Sequence, residues 1–233
     1  MNLLQKYFNL KQSLAESTDH PMIEHNGNML HRNNSDGKPI HHTDEGIKNF
    51  HNWFGDSKMT DKHGRPQTFY HGTSEDFSKF SKDTANKNTK TGVPENTHFF
   101  SDDAAAASSY AKQKTDRSTK TTSWGEGGNV KPVYIKAKKV LKIDAKGDDW
   151  NNISYKAKGD HNAGDYDMND LSQIAKHGKY HAMLVKNVHD RQDYHGSRPA
   201  TSVAVFTHNQ VKSVFNNGKW DKDSDKISED TYE

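Results

Sequence analysis

Cysteine is absent from this 233-residue chain. Its absence excludes disulfide staples, a thiolate zinc site and a cysteine nucleophile, and it fits a reducing compartment. Long apolar runs are missing too. Nothing approaches the roughly 18 consecutive apolar residues of a membrane helix, so no membrane partner is expected. The opening stretch MNLLQKYFNLKQSLAES is broken by Lys6 and Lys11 and does not read as a secretory leader. Leu3, Leu4, Tyr7, Phe8 and Leu14 fall near helical spacing, which predicts a short amphipathic helix. Hydrophobic residues make up only 30 % of the chain and the mean hydropathy is −1.14. That is too little apolar surface to fill a globule of this length, so part of the chain is predicted as solvated loop or tail. A dominant sign of charge is also lacking, with 33 basic against 31 acidic residues and a net charge of +2. A protein that coats nucleic acid would be lopsided, although a local groove for a nucleic-acid substrate stays open. The expected location is the cytoplasm.

Periodicity and turn signals divide what is there. Residues 18–42 are polar, with EHNGN and NNSDGKP as turns. His20, His25, His31, His41 and His42 fall in this stretch, but none pairs at helical i, i+4 spacing and no carboxylate frames them, so no metal site is predicted. From Thr43 a helix is predicted, with Ile47, Phe50, Trp53 and Phe54 on one face and Gly55 closing it. DKHGRP (61–66) reads as a turn leading into TFYH as a strand, and 77–96 reads as loop. THFF (97–100) is a second strand. SDDAAAASSYAKQ (101–113) is a helix with Ser101 as N-cap and Asp102 and Asp103 suited to its dipole. Residues 114–129, ending in WGEGG, read as an exposed mobile loop. KPVYIKAKKVLKID (131–144) alternates like one or two strands. After a polar stretch at 146–164, DMNDLSQIAKHG (167–178) is a helix closed by Gly178. HAMLVKNV (181–188), TSVAVF (201–206) and QVKSVF (210–215) are strands, and the charged tail to Glu233 is expected to fray. Few long helices, and strands separated by long loops, predict an α+β fold.

Three pieces carry chemistry. The first is Tyr70-His71-Gly72-Thr73 at the end of a core strand. The second is Phe99-Phe100-Ser101-Asp102 running through an alanine-rich helix to Tyr110, with ten residues between Phe99 and Tyr110. The third is Ser202 to Phe206, followed by Gln210-Val211. Singly, each has an ordinary reading: a strand-end histidine, a core tyrosine, a pair of strand phenylalanines of which one must face the core. Their order and spacing resemble the ADP-ribosyltransferases of the diphtheria-toxin and poly(ADP-ribose) polymerase type. Those enzymes carry a histidine, two tyrosines with ten residues between, and an acidic residue on a late strand. GIKNFHNWFGDSKMTDKHGRPQTFYHGT (46–73), PVYIKAKKVLKID, HAMLVKNVHD and VFTHNQVKSVFNNGKWD are similar to the ADP-ribosyltransferase domains of polyvalent proteins of phages and mobile elements. The likeness spans roughly residues 40–225.

The resemblance implies an ADP-ribosyltransferase-like fold of split mixed β-sheets with short flanking helices, and NAD as substrate. It implies that His71 holds a ribose hydroxyl, that Gly72 admits the nicotinamide amide close to the backbone, and that Thr73 meets the adenosine ribose. Phe99 and Tyr110 would sandwich the nicotinamide ring, with Phe100 beside them; Phe99 keeps a ring face but lacks the usual hydroxyl. At the late strand the acidic residue is missing. Ser202 stands there, and no carboxylate occurs from Ala200 to Thr207. Serine is no base near neutral pH. Three explanations stay open: a carboxylate from NVHDRQDYHGSRP (187–199), with Asp190 and Asp193 as candidates; an acceptor that needs no base; or a degenerate NAD binder. In the family this loop faces the acceptor, which implies contacts from Arg191, Tyr194 and Arg198.

The expected organisation is an N-terminal extension over 1–42, an ADP-ribosyltransferase-like domain over 43–216 and a charged tail over 217–233. The expected activity is transfer of ADP-ribose from NAD to a host macromolecule, protein ahead of nucleic acid, with release of nicotinamide. His71, Ser202 and Asp190 are the catalytic candidates. A phage or mobile-element effector or toxin fits the resemblance. The rivals are an NAD glycohydrolase, with water as acceptor, and a non-catalytic virion or partner-docking module. A tRNA 2′-phosphotransferase is disfavoured, because its several arginine and histidine motifs are not found.

Overall fold

Thr43 opens helix α1 (Asp44–Phe54) as its side chain accepts from Gly46 N at 3.1 Å, and Gly55, at φ 55°, closes it. The apolar stripe lands inside: Ile47, Phe50, Trp53 and Phe54 are at most 3 % exposed. The computed structural model describes residues 21–74, 77–80, 93–111, 128–190 and 198–229, and the backbone of 113–116 and 121–124.

The body is a mixed sheet of seven strands. In chain order these are β3 (Thr68–Thr73), β4 (His98–Ser101), β7 (Asn129–Ile135), β8 (Val140–Asp144), β11 (Ala182–Val188), β12 (Ala200–Val205) and β13 (Val211–Ser213). They lie in the order β13-β7-β3-β4-β12-β11-β8, antiparallel throughout except for the parallel pair β11/β8. Three two-stranded ladders flank the sheet: β1 (Met22–His25) with β2 (Asn28–His31), β5 (Gln113–Asp116) with β6 (Thr121–Trp124), and β9 (Ile153–Tyr155) with β10 (Gly164–Tyr166). Two short helices, α2 (Ala104–Ala111) and α3 (Met168–His177), complete an α+β fold.

Strand alternation feeds two cores. Val203 and Val205 join Phe50, Trp53, Phe69, Phe80, Phe100 and Trp220 on the α1 side. Ala204 joins Leu171, Ala175, Met183 and Val185 on the α3 side. Gln210 ties the sheet where β12 turns into β13. Its Oε1 accepts from Thr207 N at 3.0 Å, and its Nε2 donates to Lys136 O at 3.0 Å and His181 O at 2.9 Å. One amide thereby satisfies three strand connections, which explains why QV precedes the last strand.

The feature that positions the site is a seam. β3 pairs with β7 at six positions, from Thr68 to Thr73, but with β4 at Tyr70↔Ser101 alone. Beyond Tyr70 the two halves of the sheet part.

Three expectations need correction. Ser101 is a strand residue paired to both Tyr70 and Ser202, so it does not cap α2; Asp103 does, its Oδ1 accepting from Ala105 N at 2.7 Å. The stretch read as a mobile loop holds the β5/β6 ladder, which its threonine-rich segments favour. Within the expected N-terminal extension, residues 22–31 form the β1/β2 hairpin. Asn34 is 1 % exposed, donates to Thr68 Oγ1 at 3.2 Å and Tyr134 OH at 3.1 Å, and seals the sheet from below. The charged tail is not frayed through residue 229, since Trp220 and Ile227 are buried in the first core. The predicted helix over residues 3–14 lies outside the described residues.

Candidate active site at the sheet seam

Helix α2 crosses β3 at Gly72. A Cβ there would sit 1.7 Å from Ala107 O. The glycine is therefore required by the helix crossing, and the absent side chain makes room for protein backbone before any ligand. Gly72→Ala must push α2 off the sheet. Such overpacking costs about 1–3 kcal/mol or more, and a lowered melting temperature with displaced Tyr110 is the expected result.

That crossing aims Tyr110 at the late strand. Its hydroxyl donates to Asp190 Oδ1 in a very short contact, and Ser202 Oγ donates to Asp190 Oδ2 at 2.5 Å. So the structure brings Tyr110, Asp190 and Ser202 together on one carboxylate. Asp190 gets there through a bulge. The β11/β12 register shifts between Val185 and Val188, and Asn187 adopts φ 54°, a left-handed value that asparagine tolerates. Asn187 Nδ2 donates to Asp144 Oδ1 at 2.9 Å, and His189 N to Asp148 O at 3.0 Å, fixing the strand end. Asp102 locks the other side by accepting from Thr201 N at 2.7 Å. Burial raises the Asp190 pKa, while the hydroxyls of Ser202 and Tyr110 oppose that rise by favouring the ionised form. Ser202 itself is 1 % exposed, so it acts on its surroundings through Asp190.

His71 lies across the seam. Its ring packs against Phe80 at 5.1 Å, Phe100 at 5.3 Å and Phe77 at 6.0 Å, on the first-core side. Where the β3/β4 ladder has ended, its Nδ1 meets Phe99 O at 2.8 Å. A carbonyl only accepts, so Nδ1 carries the proton. Burial lowers the His71 pKa to about 4, so the ring is neutral at pH 7 and Nε2 presents a lone pair. Among the described residues no hydrogen bond to Nε2 is seen.

The remaining candidates divide by burial. Phe99 is half-buried and packs toward the second core, on the same face as Tyr110. Phe100 is 3 % exposed and supports His71 from within, leaving almost no ring surface for a ligand. Thr73, in the last β3 pair, is buried at 9 % exposure. Arg198 is exposed, and Arg191, Asp193 and Tyr194 lie outside the described residues. Sequence reasoning missed two things. The Tyr110 hydroxyl bonds to Asp190, a contact the expected ring stacking did not include. Phe77 and Phe80, in a stretch read as loop, wall in His71; their i, i+3 spacing was the available signal. Among the described residues no cluster of three or more metal-ligating side chains occurs, and no helix is long and apolar enough to cross a membrane.

A large mixed sheet that parts beyond Tyr70, with three short helices, is consistent with an ADP-ribosyltransferase-like fold. The sequence profile of the family described as ADP-ribosyltransferase in polyvalent proteins matches residues 61–221, and the chain belongs to that family. No curated protein and no solved structure matches the chain.

Proposed function

We propose that the protein transfers ADP-ribose from NAD to a macromolecular acceptor of a host cell, a protein ahead of a nucleic acid, releasing nicotinamide. The observation that carries this reading is the Asp190 carboxylate held by Tyr110 and Ser202. It supplies a negative charge at the strand position where the family's acidic residue is replaced by Ser202.

NAD supplies an activated ribose–nicotinamide bond, whose electrons leave with the nicotinamide ring. Within the reading, the lone pair of His71 Nε2 accepts a ribose hydroxyl. The seam beyond Tyr70 leaves the β3 edge without a β4 partner, so an elongated dinucleotide has backbone to lie against. Asp190 holds its charge toward the ribose as positive charge develops there, and takes the proton that the acceptor gives up on bonding to C1′. Tyr110 and Ser202 favour the ionised form of Asp190 against burial and fix it in place, while the Phe99 and Tyr110 rings offer apolar surface for the nicotinamide. Arg198, exposed just before β12, lies where the acceptor would approach. Host, phage and toxin settings rest on the sequence resemblance and belong to the same proposal.

The test is nicotinamide release from NAD by purified protein, with labelled NAD incubated in host lysate beside it. Release with a labelled macromolecule is the expected result. Release without label would make water the acceptor. Neither signal, from folded protein, would overturn the reading in favour of a non-catalytic module.

A further inference from the structure

The chain's end is tied to the wall of the His71 pocket. Lys212, on β13, has a side chain with 0 % exposure. Its Nζ donates to Lys226 O at 2.8 Å, to Ser224 O at 3.1 Å, and to Glu229 in a very short ion pair. Glu229 also accepts from Asp221 N at 3.0 Å and Asn216 Nδ2 at 3.2 Å. Trp220 and Glu229 hold φ of 50° and 57°, a conformation that non-glycine residues keep only where the surroundings enforce it. The result is a closed strap over residues 216–229, most of it beyond the end of the family match.

The strap reaches the site in one step. Ile227 N donates to Ser78 O at 2.9 Å, Lys226 bridges Lys79, and Asp225 pairs with Lys79 at 3.4 Å. Ile227, 4 % exposed, sits in the same core as Phe80, and Phe77 packs against that core. Phe77 and Phe80 are the rings on which His71 rests.

We infer that the Lys212–Glu229 strap is a positioning device for His71: it presses residues 77–80 into the seam so that the imidazole stays dry, oriented on the Phe99 carbonyl, with Nε2 outward. Lys212, Glu229 and Ile227 touch no reacting atom and act through Phe77 and Phe80. A buried ion pair suits this task better than it suits stability, because its attraction is largely offset by desolvation while its directional bonds specify one arrangement. The titratable groups that face the ring from neighbouring elements are Lys131, across from it on β7, whose charge disfavours protonation of His71, and His98, whose own protonation His71 disfavours.

The test is the ring titration of His71 in the full-length protein, followed by NMR and assigned with a His71→Gln variant. Two strap variants are compared: Ile227→Ala, and the charge-free double variant Lys212→Met/Glu229→Gln, which removes both charges and keeps an acceptor for Asp221 N. Asn34→Ala is the control, a buried tie to Thr68 and Tyr134 at the opposite end of β3 and outside the strap. The strap variants are expected to raise the His71 pKa from about 4 by a unit or more toward 6.5, as the loosened wall admits water. The control is expected to melt earlier with the His71 titration unmoved. Ile227→Ala alone decides the matter if the double variant does not fold. A His71 titration equal to that of the parent in the folded strap variants would overturn the inference, whatever their melting temperatures. The consequence for catalysis rests on the NAD reading: nicotinamide release should fall about tenfold in kcat, in step with the ring titration. A ring that responds in a protein releasing no nicotinamide would keep the strap and discard the enzyme.

Discussion

Asp190→Asn should lower nicotinamide release by on the order of 10²–10⁴-fold, the range for losing a positioned acid–base group. The substitution keeps size and hydrogen-bonding capacity, so Tyr110 and Ser202 can still be met, and the fold should survive. What disappears is the charge. Ser202→Ala and Tyr110→Phe should cost less, and they carry a signature of their own. Each hydroxyl bond favours ionised Asp190 against the burial that favours the acid. Removing either bond raises the Asp190 pKa further. A base must be ionised to work, so the acid limb of kcat/KM should move to higher pH in both variants. The measurement is a pH profile of nicotinamide release for the parent and the three variants. Parent-like rates in Asp190→Asn would remove Asp190 from the chemistry and leave Ser202 as a plain substitution for the missing acid.

The sequence carried the parts of the fold that depend on local pattern. Helix α1 was legible because a threonine cap, an apolar stripe and Gly55 agree with one another. Most strands of the large sheet were legible as apolar alternation. Asp190 was legible only as one of two loop carboxylates. What brings it to Ser202 is the bulge at Asn187, and a bulge is a register property of two strands that no single segment reveals. The packing role of Gly72 was hidden for a similar reason. A missing Cβ says that something comes close, but that the close partner is the Ala107 carbonyl depends on where α2 crosses. The tail was expected to fray because its composition is charged. Its anchor is a lysine at an inward position of β13, and inward lysines are scarce enough to be read as outward ones. His71 shows the same limit from the other side: its place at a strand end was visible, whereas its tautomer follows from a carbonyl 28 residues away.

Acid should unfold this protein at a higher pH than its carboxylates alone would dictate. Two imidazoles are buried neutral, His71 with a pKa lowered to about 4 and His98 to about 3, both chiefly by desolvation. His98 is 2 % exposed and its Nε2 is without a hydrogen-bond partner, so a second proton there has nothing to pay for its burial. The unfolded chain protonates both near pH 6.5, while the folded chain refuses until pH 4 or below. Between those values the unfolded state binds more protons, so stability falls as pH falls, and it is fully present above about 6.5. Each histidine contributes a slope of about 1.4 kcal/mol per pH unit, so the pair gives about 3. His41 and His51, lowered mainly by burial, act in the same direction. Asp190, raised by burial, acts in the opposite one, because its folded form takes a proton more readily. Asp44 and Asp61 are lowered and matter only below about 3.8. Against a typical total of about 5–15 kcal/mol, a slope this steep should unfold the protein between about pH 4 and 5. Urea midpoints taken from pH 7.5 down to 4.5 measure it directly. His98→Leu replaces an unpaired polar ring with an apolar side chain, so it should reduce the slope by about one proton without lowering stability at pH 7.5. A midpoint that stays level down to pH 4.5 would mean that both rings accept protons within the fold, and His71 would then lose the lone pair on Nε2 below about pH 6.5.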